Sequence, residues 1–509
     1  MKPAVVLSAA FVAAVALYLP TIQYGFVQDD RAVIVSNPAA HSIGAALRAF
    51  DDPYWPPESG AGLYRPVTIL SYAVDWTLSG GRAGWLHVMN ALWHGLAALL
   101  FTLVLARWLS PLGAVAAGLV FAWHPVHVEG VASLVGRAEL LAAALILGAV
   151  LAARRGWWVG AVLCALLAML SKEHGVIAGV VILFDNWLQG QERRGYPIGL
   201  WIALAVGTAG FVAAWLAIGR AGGSDVAAVF IGRGAGGRLV VALAAVARAA
   251  GLIAWPASLS TDYGPQVIPA RESFSLAAAF GGIVVVAVPV LVIWCWRRAP
   301  AIAFAAMLTA LSYAPTSNLL FPSGVVLAER NLYLAVGLGA ALAAGGVEWA
   351  ASRWGVRPAV AALGVVVLAC GLRSLARLPA WRDNRSQLLT LLADHPESYQ
   401  AHASAAAVLA GLRDTTGARR EYRAADSLFA GDPHLDAAHA LYVVGLGDTT
   451  SAAHLVRRAR SVMPDERIAL RAQFLLELAR RHRSGALAVA DSAAQRYPRE
   501  RSWYAQHLQ

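Results

Sequence analysis

Apolar runs long enough to cross, or nearly cross, a lipid bilayer begin near residues 4, 86, 111, 138, 157, 175, 197, 274, 300, 331 and 358. In lipid such runs must satisfy their own backbone hydrogen bonds, which predicts an all-α membrane protein of about eleven transmembrane helices. A hydrophobic share of 58% over 509 residues lies beyond the globular range, so most of this surface faces lipid. The runs 111 to 123, 157 to 170 and 175 to 188 fall short of the roughly 20 residues a lone span needs. They are expected to borrow flanking residues or to pack inside the bundle. The N-terminal Met-Lys and its apolar stretch have the outline of a secretory leader. No small-x-small cleavage site stands out, however, and the run continues into Tyr18-Leu19-Pro20, which predicts a retained first helix.

Loop charge gives an orientation. With Lys2 inside, the chain re-enters the cytoplasm at Arg107, Arg154-Arg155, Arg193-Arg194, Arg297-Arg298 and Arg353 with Arg357. The alternation holds if the stretch 239 to 256, interrupted by Arg248, lies at the interface or re-enters without crossing. Eleven crossings then leave the C-terminus outside. The polar loops 23 to 85, 124 to 139, 171 to 174, 258 to 272 and 313 to 330 all fall on that outer face. A transferase working there has no nucleotide sugar or ATP and needs a donor anchored in the membrane. The net charge of +11 does not point to nucleic acid, because many of the basic residues sit at helix ends or in the C-terminal region. Cys164, Cys295 and Cys370 lie inside apolar runs, so neither a disulfide framework nor a zinc ribbon is expected.

From about residue 380 the composition changes, dividing the chain into a membrane domain, 1–379, and a charged, alanine-rich helical domain, 380–509. Asp414-Thr415-Thr416 recurs as Asp448-Thr449-Thr450, 34 residues on, and Ala418, Ala452 and Ala486 keep the same register, as do Ala425, Ala459 and Ala493. That period predicts an α-solenoid of tetratricopeptide-like hairpins, with Asp as N-cap and alanine where paired helices approach. The third unit reads His482-Arg483-Ser484 instead. An array of this kind suits a peptide or protein partner.

Asp29-Asp30, just after the first helix, is either a solvated helix end or a general base for an acceptor hydroxyl. One such carboxylate suits inverting displacement, since a retaining mechanism asks for a nucleophile and a separate acid. His124, His127 and Glu129 have the donor types of a zinc or manganese site. Hydrogen-bonded lining and contact with a phosphate or sugar are the stronger readings, so no metal is firmly expected. Arg137 and Glu139 follow at a membrane boundary, where ionisable groups are costly. Lys172, the only lysine besides Lys2, stands in Ser171-Lys172-Glu173-His174 as a point charge for phosphate or as a snorkelling cap. Arg65, Asp262-Tyr263 and Glu329-Arg330 add charge to the same face.

Taken in order, Phe26-Val27-Gln28-Asp29-Asp30, Tyr64-Arg65-Pro66-Val67-Thr68, His124-Pro125-Val126-His127-Val128-Glu129, Gly136-Arg137-Ala138-Glu139, Ser171-Lys172-Glu173-His174-Gly175 and Glu329-Arg330-Asn331-Leu332-Tyr333-Leu334 resemble the transmembrane-and-tetratricopeptide-repeat O-mannosyltransferase family. The resemblance implies a GT-C fold with short helices on the outer loops, a polyprenyl-phosphate sugar donor and O-glycosylation of Ser or Thr. It makes Asp29 the base with Asp30 beside it, assigns Arg65, Arg137, Lys172 and Arg330 to the donor phosphate, and places His124, His127, Glu129 and Glu139 in the pocket wall. The repeat array is shorter than in eukaryotic members. The alanine, arginine and glycine bias is that of a bacterial chain, for which an inner-membrane location, a periplasmic site and undecaprenyl phosphate are the natural expectations. The alternatives are a transferase of the same architecture acting on lipid or cell-wall glycan, a transporter or flippase, and an inactive repeat scaffold.

Overall fold

An apolar run in lipid can pair its backbone groups only within itself or in a closed barrel, and every regular element among the described residues is helical. The computed structural model describes residues 3–56, 62–190, 195–219, 226–269, 274–497 and 500–508. Lys2, Arg193 and Arg194, used above for orientation, lie outside these residues. The chain opens with α1 (Pro3–Tyr18). Short helices α2 (Ile43–Arg48) and α3 (Pro66–Ser79) then occupy the first long loop. The bundle continues with α4 (Ala83–Leu105), α5 (Pro111–Trp123), α6 (His127–Ala132), α7 (Arg137–Arg154), α8 (Trp158–Ser171), α9 (Ala178–Leu188), α10 (Ile198–Ala214), α11 (Ala235–Ala254), α12 (Leu276–Cys295), α13 (Pro300–Tyr313), α14 (Val336–Trp354) and α15 (Val356–Arg377).

Six helices among the described residues are long and apolar enough to cross a membrane, including α4, α11, α12 and the segments Leu134–Arg154, Ile198–Ile218 and Val356–Trp381. The chain is therefore a multi-pass membrane protein. Shorter apolar helices accompany them at Ser8–Gln23, Pro111–Trp123, Trp158–Ser171 and Pro300–Thr316. The short helix α5 survives by burial rather than by length, because small residues let its neighbours close in. Gly118 of α5 seats against Thr102 of α4 and Ala10 of α1, and Gly95 of α4 seats against Phe11 and Val15.

Polar contacts define two ends of the bundle. At one end Arg154 pairs with Asp185 (2.5 Å) and donates to the Val104 carbonyl (2.8 Å), Ser110 N donates to Glu348 (2.7 Å), and the Trp187 and Trp296 rings stack 4.4 Å apart. The motif-bearing loops gather at the other. Helix α11 has the length of a span and packs mainly on α12, yet the segments on its two sides, 226–229 and 260–265, line one cavity at this second end. The carbonyl of Leu243 meets Gly281 in the second turn of α12, and the Ile253 carbonyl is bonded by His124, the residue after α5 (3.0 Å).

After a connecting helix α16 (Asn384–Asp394), three hairpins follow: α17 (Tyr399–Gly411) with α18 (Thr415–Leu428), α19 (Pro433–Gly445) with α20 (Thr449–Val462), and α21 (Arg467–Ala479) with α22 (Arg483–Arg496), closed by α23 (Arg501–His507). First helices begin at 399, 433 and 467 and second helices at 415, 449 and 483, a constant step of 34. Asp414 and Asp448 accept from the Gly417 and Ser451 amides (2.9 and 3.0 Å), whereas His482 makes no such cap. The six recurring alanines, Ala418, Ala425, Ala452, Ala459, Ala486 and Ala493, are fully buried between the helices.

Candidate active site

The turn that presents the two acids is strained. Gln28 holds a left-handed φ of 46°, which an L side chain adopts at a cost of about 1 kcal/mol, and its amide is secured by Asn384 Oδ1 at the start of α16 (2.7 Å). Together with Gly25 N donating to the Arg382 carbonyl (3.0 Å), this ties the acidic turn to the repeat region. The turn sends the two carboxylates in different directions. Asp30 is fully buried and accepts from the amides of Val27 and Val135 (both 2.9 Å). Burial pushes its acid up to about 7 even against those bonds. Asp29 is half-buried, makes no hydrogen bond or ion pair among the described residues, and faces a cavity of about 620 Å³.

Glu129, Arg330, Asp262 and Tyr263 share that cavity with Asp29. Glu129 receives both the Arg330 amide (2.9 Å) and its Nη1 (2.8 Å), which pins the loop before α14 to α6. Arg65, immediately before α3, grips Glu173 through Nε and Nη2 (2.7 to 3.1 Å) and lies 4.9 Å over the Tyr54 ring. Lys172 pairs with Glu139 and donates to Asn331 Oδ1 (3.2 Å), while His174 Nδ1 sits 3.6 Å from the second oxygen of Glu139. Lys172 is held here because α8 ends on it in an extended conformation and the next turn doubles back, with Gly175 against the backbone of Ala168 where no side chain fits. Arg330 alone of the three cations lines the cavity with Asp29, whereas Arg65 and Lys172 stand behind it in their pairs with Glu173 and Glu139.

Other residues singled out in the sequence stand elsewhere. Arg137 is fully enclosed among Asp75, Asn90 Oδ1 (2.6 Å) and the Leu86 carbonyl (2.9 Å), over the Tyr72 ring, and is not presented to the cavity. The physical reason is its position at the first residue of α7, where the side chain turns in between α3 and α4. His127 Nε2 donates to the Tyr333 carbonyl (3.0 Å) and the ring packs among His94, Phe121 and Tyr333. His124 lines a different cavity. Among the described residues no cluster of three His, Cys, Asp or Glu side chains is arranged to hold a metal. Glu329 is buried behind Tyr263, whose hydroxyl donates to it (2.7 Å), as does Ser260 N (2.7 Å). Burial raises Glu329 to about 8, with Glu129 adding to the rise and Arg377 opposing it.

The far wall of the cavity was not foreseen residue by residue. It is made by the first hairpins: Tyr399, Gln400, Ala403, Ser404 and Ala407 along α17, with Tyr422, Asp432 and His434 beyond. The Gln400 amide, turned nitrogen-inward, donates to Asp262 Oδ2 (2.7 Å), and Gln266 donates to the Leu428 carbonyl (3.0 Å). Asp75 and Asn90, which hold Arg137, were missed too. Asp75 alone left a trace, as an acid inside the apolar sequence of α3.

Fold and site together define a multi-pass helical membrane protein with a carboxylate-and-cation cavity at one end of the bundle, roofed by helical hairpins. In sequence it is similar to a set of proteins named as protein O-mannosyl-transferases. Tmtc2 of Drosophila melanogaster is 40% identical over 132 residues, covering 25% of this chain and 14% of the relative. TMTC3 of Homo sapiens is 30% identical over 200 residues, 36% and 21%. F38B6.6 of Caenorhabditis elegans is 26% identical over 329 residues, 62% and 47%. The matched part is thus less than half the length of each of these relatives. No protein-family model matches the chain, and no solved structure matches it.

Proposed function

We propose that the protein is a GT-C-type glycosyltransferase that moves a sugar, mannose by analogy with the named relatives, from a polyprenyl phosphate to a Ser or Thr hydroxyl of a protein. The observation that carries this reading is the position of Asp29, an unpaired carboxylate in a cavity that Arg330 lines and that the repeat helices wall on the far side, with Arg65 and Lys172 in ion pairs outside the lining. In the proposed step the acceptor oxygen attacks C1 of the sugar and Asp29 takes its proton. The C1–O bond to phosphate breaks with its electron pair passing to the phosphate oxygen, and polyprenyl phosphate leaves. Arg330, Arg65 and Lys172 stabilise that developing charge. Arg330 is the most accessible of the three and engages Glu129 through a single guanidinium nitrogen, so a phosphate can bind it without breaking the pair. A single free carboxylate supports inversion.

The repeat hairpins, read as tetratricopeptide units, would bind the acceptor, since one wall of the cavity is their surface. Eleven crossings, with α11 lying at the interface, would put site and repeats together on the extracytoplasmic side. The two flanks of α11, which line one cavity, support that count. The purified chain in lipid, given polyprenyl-phosphate mannose and a Ser/Thr-rich peptide, should release polyprenyl phosphate and a mannosylated peptide in equal amounts. Release without peptide modification, or no release from any polyprenyl-phosphate sugar, would overturn the reading.

A further inference from the structure

A second cavity, of about 1000 Å³, opens among α5 and α11–α15 and shares no lining residue with the first. Its wall is apolar, built from residues such as Val246, Ile253, Val284, Val288, Leu338 and Val366. Val365 and Val366 of α15 border it with exposed side chains, so it opens sideways towards lipid and not only towards water. Space of this kind, walled by aliphatic side chains, does not hold ordered water, which needs two to four polar partners. A hydrocarbon chain fills it instead.

Among the described residues the cavity is lined by one histidine, His124, and one arginine, Arg373, and by no lysine or carboxylate. His124 is taken by the Ile253 carbonyl. Arg373 stands one helical turn beyond Ala369 and reaches Ala257 O through Nη2 (2.9 Å), beside the exposed Trp255, an aromatic suited to the headgroup layer. One turn further, the buried Arg377 is paired with Asp394 (2.6 Å) and lies outside the lining, which leaves Arg373 as the charge at this end. Arg373 therefore places one positive charge at one end of an apolar groove, the charge pattern that complements an anionic lipid. We infer that this groove is a binding site for one anionic phospholipid, its acyl chain in the cavity and its phosphodiester against Arg373. It is distinct from the donor site, because none of Arg65, Lys172 and Arg330 borders it. The segment Trp255–Ala257 that walls it continues into Ser260–Pro265, which walls the Asp29 cavity, so a bound lipid would brace the candidate active site from behind.

The test is native mass spectrometry on the full chain, extracted from bilayers of equal phosphatidylglycerol and phosphatidylcholine. The wild type should retain one phosphatidylglycerol per chain. Arg373→Gln, which removes the charge and keeps a polar side chain, should cut retention about tenfold, as expected for loss of a charge-assisted contact. Ala369→Trp, from an exposed lining position, should abolish it by filling the groove. Should that variant unfold, Arg373→Gln alone decides. Equal retention of the two lipids, or retention untouched by Arg373→Gln, would sink the proposal. Displacement of phosphatidylglycerol by added polyprenyl phosphate, one for one, would assign the groove to the donor and also overturn it. The readout needs no sugar transfer, so an inactive preparation that still retains the lipid speaks against the proposed enzymatic function and not against this site.

Discussion

The two adjacent acids show how little a residue type says without its environment. Asp29 and Asp30 are indistinguishable in sequence, yet one is an unpaired group in a cavity and the other is bound to two backbone amides in the protein interior. Asp29→Asn should therefore lower turnover by roughly a hundredfold, with expression and donor binding unchanged, because the amide keeps the shape but takes up no proton. Asp30→Asn should show up first in the unfolding temperature. The cations divide in the same way. Arg65→Ala, Lys172→Ala and Arg330→Ala are expected to raise the donor KM about tenfold each in steady-state assays. Arg137→Ala should instead reduce folded yield, since it strands the buried Asp75 at a cost of about 3–5 kcal/mol. Normal yield with a raised donor KM would return Arg137 to the phosphate site. Glu329 supplies a pH test. Its folded value, about 8, lies above the usual 4.5, so the folded state holds a proton that the unfolded state has released. Stability from this group is complete below the unfolded value and is lost as pH rises towards the folded one. The wild-type unfolding temperature in detergent should fall between about pH 5 and about pH 8, and Glu329→Gln should flatten that slope. Identical slopes would remove Glu329 as its source.

At the scale of elements, sequence periodicity was most informative where one local rule governs a whole segment. The 34-residue step places every first and second helix of the three hairpins, because capping acids and contact alanines are local requirements repeated in each unit. The long apolar runs likewise give the bundle helices. What the sequence could not give is the joining of elements. That α17 faces Asp29 depends on bonds between residues hundreds of positions apart, such as Gln28 to Asn384, and that Arg137 turns inward depends on Asp75 and Asn90 from two other helices. Spacing carries no record of such pairings. The cavity wall on α17 has its own consequence: small side chains at Ala403, Ser404 and Ala407 leave room for an extended polypeptide. Ala407→Trp, at an exposed position of that wall, should raise the KM for peptide acceptor about fivefold or more, from the roughly 1 to 3 kcal/mol that overfilling a contact costs, and leave the donor KM alone. Equal effects on both substrates would mean that the wall shapes the donor pocket instead.

On the scale of the whole molecule, the bundle separates two chemistries. Arg154, Arg297 and Arg298 belong to loops at one end, while Asp29, Lys172, Asp262, Arg330 and the hairpins belong to the other. Site and repeats are held on the same side by the contacts of Gln28, Asp262 and Gln266 with the C-terminal region, however many helices cross. In the proposed topology the positive-inside rule would put the arginine-bearing end in the cytoplasm and the site outside. Helix α11 is long and apolar enough to span. A full crossing would need its two flanks on opposite sides of the membrane, yet Val226–Val229 before it and Ser260–Pro265 after it line the same cavity. An alkaline phosphatase fused after residue 380 should accordingly be active in intact cells, and one fused in the 297 to 299 loop inactive. Fusions on both sides of α11, near residues 228 and 262, should both be active. Opposite signals from that last pair would make α11 a span and break the cavity into two half-sites on opposite membrane faces. A silent fusion after 380 with an active one at 297 to 299 would keep the cavity whole but turn it towards the cytoplasm, where a soluble nucleotide-sugar donor would replace the lipid-linked one.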